Sequence, residues 1–543
     1  MPQTVLELIK HRGRALDGSS QEKGVEFDPL TPMPAAPGFA NAIVELNDPR
    51  PGTTRYPISL ESFDSLKAAA PKIKIRAKKS SVIFADALED KLEVVSASQG
   101  TAAAPMAFAP AAPPAPSYPT PSTHFKGIAA TGWFPPDCTM AVGLSHVLLS
   151  VNSSVAFYDK MGTVALPQQT LTVWFANVVQ DATIFDPKAL YDQHDNRWIL
   201  VAAAINPAQK RSWFLLSISK TADPAAGWYN YALDATLDGD TQTTNWIDYP
   251  CLGVDSQAVY LTGNMFRFNG GFSYSKIRVI PKAGPYAGGS VPYKDLVKLK
   301  NTDGSFAFTV QPCHTFGAPQ IQYFINSYFP DAQSPMKDQI SLWDLSNPLT
   351  TPTLTVRTIP TSPYSLPPDA EQSGGTDRIA TGDVRMLNAV FRGGSVWCAL
   401  TTLQNWGDGA NVAAAHWFQV EAATGSLLQQ GIYGANGSYY SFPAVMPDDN
   451  GNMVMTFSRC GATEFGSIYF TGRRATDALG TLQSSTLLIA GTSYYVKKDR
   501  NGINRWGDYA GIASDPMNSG LIWFYALYAD TGNNWATHVG SAF

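Results

Sequence analysis

The sequence predicts an all-β fold, a seven-bladed β-propeller over residues 123–543, with six or eight blades as alternatives. Apolar, β-rich segments recur about every 45 to 75 residues after position 125, which is the spacing of propeller blades with loops of variable length. Further strand-like segments flank each of them. The Gly- and Pro-rich connections between them contain no helices of the length that a parallel α/β fold needs.

The repeat is clearest in one apolar segment of each unit. Seven copies can be counted: HVLLSVN, RWILVAAA, AVYLTGN, IQYFINS, SVWCALT, NMVMTFS and LIWFYAL. A second β-rich segment follows each copy and a third precedes it, so every unit has at least three predicted strands, and most have an outer fourth. The last unit ends at Phe543 after its third strand. We therefore expect FKGIA at Phe125–Ala129 to supply the missing outer strand and close the ring.

Two segments precede the propeller. Residues 1–100 have mixed patterns and predict an arm or a small domain. Residues 101–122, TAAAPMAFAPAAPPAPSYPTPS, predict a semi-rigid Pro/Ala-rich linker, because such a composition cannot bury a core and favours polyproline II geometry. The first residues contain no apolar run typical of a signal peptide, and no stretch approaches the roughly 20 apolar residues that span a bilayer.

The composition and the net charge limit the classes of binding partner that we expect for this chain. The formal net charge is −5 and only 15% of the residues are charged, so no general attraction to nucleic acid or anionic membranes is expected. The five cysteines are widely spaced and lack the pairing of a zinc site. Buried free thiols are expected, with a bridge between Cys251 and Cys313 as the alternative.

Four phrases carry a resemblance to a family: DPKALYDQHDNRW, SKTADPAAGWY, WIDYPCLGVD and WGDYAGIASDP. They resemble segments of bacterial sialidase-like β-propeller proteins, many of unknown function and related to proteins with the Asp-box hairpin. Thr221, Asp223 and Trp228 keep the Asp-box spacing, although Ala225 stands where that motif has Gly. The resemblance implies a secreted, extracellular protein. Because no signal peptide is visible, a cytoplasmic location is the alternative.

The resemblance does not extend to sialidase activity. Those enzymes have an Arg-Ile-Pro motif early in the propeller, whereas this chain has IRVIP at Ile277–Pro281, with a different spacing and in a later unit. The hairpin at Asp223 and Trp228 is expected to act as a folding device, its carboxylate accepting backbone hydrogen bonds and its indole packing between sheets.

Candidate ligand residues lie at the starts of the inner strands, which line the axis of a propeller. Asp137, Asp186, Asp248, Asp383 and Asp508 start five of these strands, so their carboxylates should converge. Long loops at 367–385 and 497–509 approach the same mouth and add cationic forks for an anion and aromatic surfaces for sugar rings. The predicted ligand-binding set is Asp248, Glu371, Asp383, Arg385, Arg505, Trp506, Asp508 and Tyr509.

Each of these residues also has a structural interpretation. An aspartate at such a turn caps the backbone, and an arginine beside it can neutralise it. No cofactor is predicted, although an acidic rim could hold calcium, which prefers several oxygen ligands. Of the histidines, only His314 is placed near the axis.

No catalytic motif is complete, and no catalytic residue is assigned. The leading hypothesis is a non-catalytic recognition module that binds a glycan or another surface ligand at the propeller mouth. The first alternative is a carbohydrate-active enzyme, a glycoside hydrolase or a lyase, that uses carboxylates, Tyr and Arg of the same rim. The second is a structural component of a larger assembly, in which the N-terminal region binds a protein partner.

Overall fold

The computed structural model describes residues 118–543, apart from 332–333, 408 and 500, together with the backbone of the strand Ile43–Asn47. The prediction of an N-terminal arm over residues 1–100 lies outside the described residues except for that strand. Most of the predicted linker over 101–122 lies outside them as well.

The described residues form seven consecutive four-stranded antiparallel units, here named meanders 1 to 7, each ordered from its inner to its outer strand. Meander 1 comprises Thr139–Val142, His146–Val151, Ser154–Asp159 and Val164–Thr170. Meander 2 comprises Thr183–Asp192, Arg197–Asn206, Arg211–Ser219 and Trp228–Asp234. Meander 3 comprises Asn245–Val254, Ala258–Arg267, Phe272–Pro281 and Lys294–Val297.

The second half of the ring continues the pattern. Meander 4 comprises Gln311–Pro312, Ile321–Ser327, Met336–Ser346 and Thr353–Ser365. Meander 5 comprises Asn388–Arg392, Ser395–Asn405, Asn411–Glu421 and Leu427–Tyr433. Meander 6 comprises Ser438–Pro447, Met453–Gly461, Glu464–Arg473 and Thr486–Ile489. Meander 7 comprises Gly511–Asp515, Asn518–Asp530, Asn534–Ala542 and Pro121–Ala129.

The prediction of seven separate blades needs correction. Only five of the meanders form separate sheets of four or five strands, because meanders 3 and 5 belong to one nine-stranded sheet. The short strand His314–Thr315 joins them, since it pairs in parallel with Val254 on one side and with Val390 and Phe391 on the other. This pairing is long-range, and no local repeat in the sequence indicates it.

Ring closure is confirmed. Pro121–Ala129 pairs antiparallel with Asn534–Ala542, with Phe125 opposite Val539, so a segment from before the first repeat completes the last meander. The edge strand of meander 7 is thereby covered.

Few elements lie outside the meanders. The helices among the described residues are one turn each: Leu171–Trp174, Ala283–Tyr286 and the 3-10 turn Pro224–Ala226. The strands Leu237–Asp238 and Thr241–Gln242 form a small hairpin, and Ile43–Asn47 pairs in parallel with the outer strand of meander 2. No helix among the described residues is both long and apolar enough to cross a membrane.

The core lies between neighbouring meanders and is rich in aromatic residues. Its largest fully buried side chains include Trp198, Trp246, Trp417 and Trp523. Strand runs that are apolar on both faces pack against a neighbour on each side, as stacked sheets require. The five cysteines are buried and free, so the described structure contains no bridge between Cys251 and Cys313.

One buried histidine gives this core a pH dependence. His416 is fully buried, its Nε2 lies 3.1 Å from Oε1 of Gln430, and burial lowers its pKa to about 4. The unfolded chain takes up a proton near pH 6.5, whereas the folded protein does so only near pH 4. The stability that depends on the neutral imidazole is therefore lost as the pH falls from 6.5 to 4, by about 3 kcal/mol.

We expect wild type to lose about 3 kcal/mol more than His416→Gln when the free energy of unfolding is compared at pH 7 and pH 4. Urea titrations of the two proteins at both pH values measure this difference. An identical pH dependence would contradict the assignment of a neutral, buried imidazole.

Candidate functional site

A left-handed backbone conformation recurs near the starts of the inner strands. Five non-glycine residues there have a left-handed conformation, and their φ angles lie between 48° and 55°: Asp137, Asp186, Tyr249, Thr309 and Phe442. This conformation is uncommon for residues with a Cβ and persists only where surrounding contacts hold it. Gly382, which precedes the inner strand of meander 5, also has a positive φ angle.

These starts bring nine polar and aromatic residues of meanders 1, 2, 3, 5 and 7 together at one end of the axis. We name this group the axial cluster; it consists of Asp137, Asp186, Lys188, Tyr249, Asp383, Arg385, Arg505, Asp508 and Tyr509. The expected convergence of Asp137, Asp186, Asp383 and Asp508 is thus what the structure shows.

Asp137 lies at the centre of a hydrogen-bond network. Its Oδ1 accepts from the backbone N–H of Asp508 at 2.8 Å, and its Oδ2 accepts from the side-chain amide of Asn152. The same amide's oxygen accepts from the backbone N–H of Asp186 at 2.6 Å. Burial, followed by the charges of Asp508 and Asp186, raises the pKa of Asp137 well above its usual range. The network links three meanders, and the neutral acid is favoured at its centre.

The two arginines of the predicted set contact aspartates of their own loops. Nε of Arg385 donates to Oδ1 of Asp383 at 2.7 Å, and its Nη2 donates to Oδ2 of the same carboxylate. The guanidinium also packs against the ring of Tyr249, 4.3 Å from the ring centroid. Nη2 of Arg505 donates to Asp508 at 2.9 Å. This pairing matches the structural interpretation of these arginines.

The aromatic residues of the predicted set are buried. Tyr509 donates its hydroxyl to the carbonyl of Pro187 at 2.8 Å. Trp506 donates from Nε1 to Oγ of Ser458 at 3.0 Å and packs edge-on against Tyr495. Neither ring forms an exposed surface on which a sugar could stack.

The remaining two predicted residues lie differently. Asp248 is buried, opposite Asn264 in the neighbouring strand. Glu371 is partly exposed and accepts a hydrogen bond from Arg378 at 2.8 Å. A ligand-binding role for the eight predicted residues stays a prediction.

Metal binding gains no support from the described residues, which contain no group of three or more His, Cys, Asp or Glu side chains placed to hold an ion. Calcium also stays a prediction. Nε2 of His314 donates to Oε1 of Gln193 at 2.8 Å, and burial lowers the pKa of His314 to about 3, so its ring is neutral.

A partly open cavity of about 220 Å³, here named the central cavity, lies at the axis. Residues from inner strands of all seven meanders line it, among them Met140, Leu190, Leu252, Pro312, Val390, Met446 and Ile512. Its other lining residues include Gln193, Phe316, Arg392, Asp449 and Pro516, which lie in or beside the turns that follow the inner strands. The cavity therefore approaches the face opposite the predicted mouth.

Of the axial cluster, only Lys188 lines the central cavity. The rest of the cluster lies before the lining residues along the inner strands, and so separates the cavity from the predicted mouth. Sequence reasoning missed Lys188 and Asn152. The available signals were the DPK triplet, in which Lys188 follows an axial aspartate by two positions, and an Asn in the turn after the strand of His146.

No protein-family model and no curated protein matches the chain. Among solved structures, it is similar to a protein of unknown function from Dyadobacter fermentans, with 10% identity and a TM-score of 0.37 over 66% of this chain and 94% of that one. Trypanosoma rangeli sialidase has 9% identity and a TM-score of 0.35 over 72% and 58% of the two chains. An α-L-arabinofuranosidase from Fusarium graminearum has 7% identity and a TM-score of 0.35 over 78% of this chain and 97% of that one.

Similarity at this level assigns no function and no family to this chain. The propeller fold rests on the strand pairing described above.

Proposed function

We propose that this propeller is a non-catalytic recognition module that binds a carbohydrate in its central cavity. The observation that carries the proposal is the lining of that cavity, which combines polar and apolar side chains. Gln193 and Asn388 contribute amides that neighbouring protein groups hold in place, and Phe316 contributes an apolar ring. A concave site with a few convergent polar groups among apolar ones is typical of small-molecule binding.

Recognition is favoured over catalysis because the candidate reactive groups of the axial cluster are engaged with the protein. Tyr249 donates its hydroxyl to the carbonyl of Asp508 at 3.2 Å, as Tyr509 does to Pro187. Burial raises the pKa of both phenols well above the usual range, so neither is an activated nucleophile. The carboxyl of Asp137 is fully buried, out of reach of a substrate.

One observation favours the alternative, a carbohydrate-active enzyme. The raised pKa of Asp137 beside two further carboxylates is a pattern that acid–base sites share. This reading requires the axial cluster to open so that a glycosidic bond can reach Asp137.

We extend the proposal to the number of blades, the location of the protein and its protein partner. The seven meanders act as seven blades of one ring, although two of them share a sheet. The propeller works outside the cell, and residues 1–100 attach it to a protein partner.

The test is a glycan array probed with the full chain and two variants. Ala189 lines the central cavity, so Ala189→Phe should fill part of it, whereas Ala423 is exposed and Ala423→Phe is the matched control. We expect wild type and the control to bind the same glycans and the cavity variant to lose at least about tenfold in affinity, which is about 1.4 kcal/mol.

Thermal melts accompany the array, so that a loss of binding in a folded protein is distinguished from a loss of fold. Binding to no glycan, or equal binding by all three proteins, would contradict the proposal. Cleavage of a bound glycan would favour the enzyme instead.

A further inference from the structure

Lys188 lies at the inner end of the central cavity, where it meets the axial cluster. Its Nζ is 3.0 Å from the centroid of the Tyr509 ring and 5.3 Å from that of Tyr249. No hydrogen-bond acceptor for this nitrogen is found among the described residues. An ammonium group has three N–H donors, and leaving them unpaired in a partly desolvated site is unfavourable. The acceptor must therefore come from the cavity.

Acidic groups lie behind Lys188, outside the central cavity. The nearest acidic groups are the buried thiol of Cys251 and the carboxylates of Asp186, Asp137 and Asp508. Asp508 is paired with Arg505, and burial raises the pKa of Asp137 well above its usual range. None of these groups lines the cavity. A ligand that reaches the inner end of the cavity therefore contacts the ammonium group of Lys188 and not these acidic groups.

The other charged residues of the cavity wall have partners of opposite charge. Arg392 donates from Nε to Asp449 at 2.6 Å, and Asp515 contacts Nζ of Lys160 at 2.8 Å. Lys188 is thus the one charged lining residue without an ion pair among the described residues. The wall therefore presents at its inner end an ammonium group whose neighbouring carboxylates lie outside the cavity.

Burial lowers the pKa of Lys188 to about 8, and the surrounding acidic groups oppose that effect. Most molecules therefore carry the ammonium at pH 7. An anion held against it would stabilise the charged form and raise its pKa.

We propose that the central cavity binds a molecule of monosaccharide size that bears one oxyanionic group, and that Lys188 contacts this group. The proposal rests on the proposed function, since it names the class of carbohydrate that the same cavity takes. The size follows from the volume of about 220 Å³, which is below the roughly 300–1,000 Å³ of pockets for drug-sized ligands.

Isothermal titration of the full chain with glucuronate, glucose 6-sulfate and glucose tests this inference. The three sugars differ at C6, so a carboxylate, a sulfate and a neutral group are compared on one ring. We expect at least one anionic sugar to bind about tenfold or more tightly than glucose. Which one binds identifies the source of the oxyanion.

The matched variants are Lys188→Met, which keeps most of the length of the side chain without its charge, and Lys300→Met. Lys300 also lies over an aromatic ring, that of Phe306 at 5.4 Å, but does not line the cavity. We expect Lys188→Met to lose at least about tenfold in affinity for the anionic sugar and Lys300→Met to match wild type. Equal binding of glucose and both anions by all three proteins would overturn the inference.

A measurement on wild type alone covers the case in which Lys188→Met does not fold. Titrations at pH 8 in buffers of different ionisation enthalpy should show proton uptake with the anionic sugar, because the bound anion raises the pKa of Lys188. Binding without proton uptake would overturn the role of Lys188. If array glycans bind but neither anionic sugar does, the proposed function stands and this inference fails.

Discussion

Replacing Arg385 by Ala is expected to destabilise the propeller by about 3–5 kcal/mol, because removing one partner of a buried pair leaves the other charge uncompensated. The side chains of Arg385 and Asp383 are only 6% and 10% exposed. The guanidinium also packs on Tyr249 and lies 5.2 Å from the ring centroid of Phe308. A variant lacking it should remove the cation that pairs with the Asp383 carboxylate inside the axial cluster.

Arg378 in the same loop provides the control. It pairs with Glu371, but the two side chains are 50% and 42% exposed, and such surface pairs contribute about 0–1 kcal/mol. Urea unfolding of Arg378→Ala and Arg385→Ala measures the contrast. If Arg385→Ala kept full stability and lost binding to acidic glycans, the sequence hypothesis of an anion-binding arginine would be correct and the pairing interpretation wrong.

Trp228→Ala is expected to destabilise the propeller by about 3–5 kcal/mol, as a large buried aromatic truncation does. The ring packs edge-on against Trp174, with 5.0 Å between the centroids, and lies 5.8 Å from Phe157. Its Nε1 donates to the carbonyl of Pro224 at 2.9 Å, inside a turn that Asp223 caps by accepting from the backbone N–H of Ala225. The hairpin therefore joins meanders 1 and 2.

Trp228→Phe separates packing from hydrogen bonding. It keeps most of the ring volume and removes the Nε1 donor, so a loss of about 1 kcal/mol is expected. Both variants are compared by chemical unfolding, and glycan affinity of the folded fraction should match wild type. Reduced affinity at full stability would indicate that this hairpin takes part in ligand binding and is not only a structural element.

The sequence was sufficient for the strands because each one carries its own apolar pattern and its own turn residues. The same local reasoning found the closing strand at Phe125, since an unpaired third strand at the C-terminus requires a partner. It could not find the strand His314–Thr315 that merges meanders 3 and 5, because two-residue pairings depend on how whole inner strands meet at the axis.

The candidate site was predictable only in part, for a related reason. Aspartates at the starts of inner strands had to converge once the ring closed. Whether Arg385 faces a ligand or Asp383 depends on side-chain direction, which the sequence pattern does not specify. Lys188 was not predicted because its role depends on a cavity that residues of many separate strands line together.

The central claim is that a carbohydrate binds in the central cavity, and a crystal structure with the best-bound glycan tests it most directly. The account predicts ligand density between Phe316 and Lys188, with an oxygen of the ligand within hydrogen-bonding distance of Nζ of Lys188. Density at the opposite face, against Arg505 and Asp508, with an empty central cavity would contradict it.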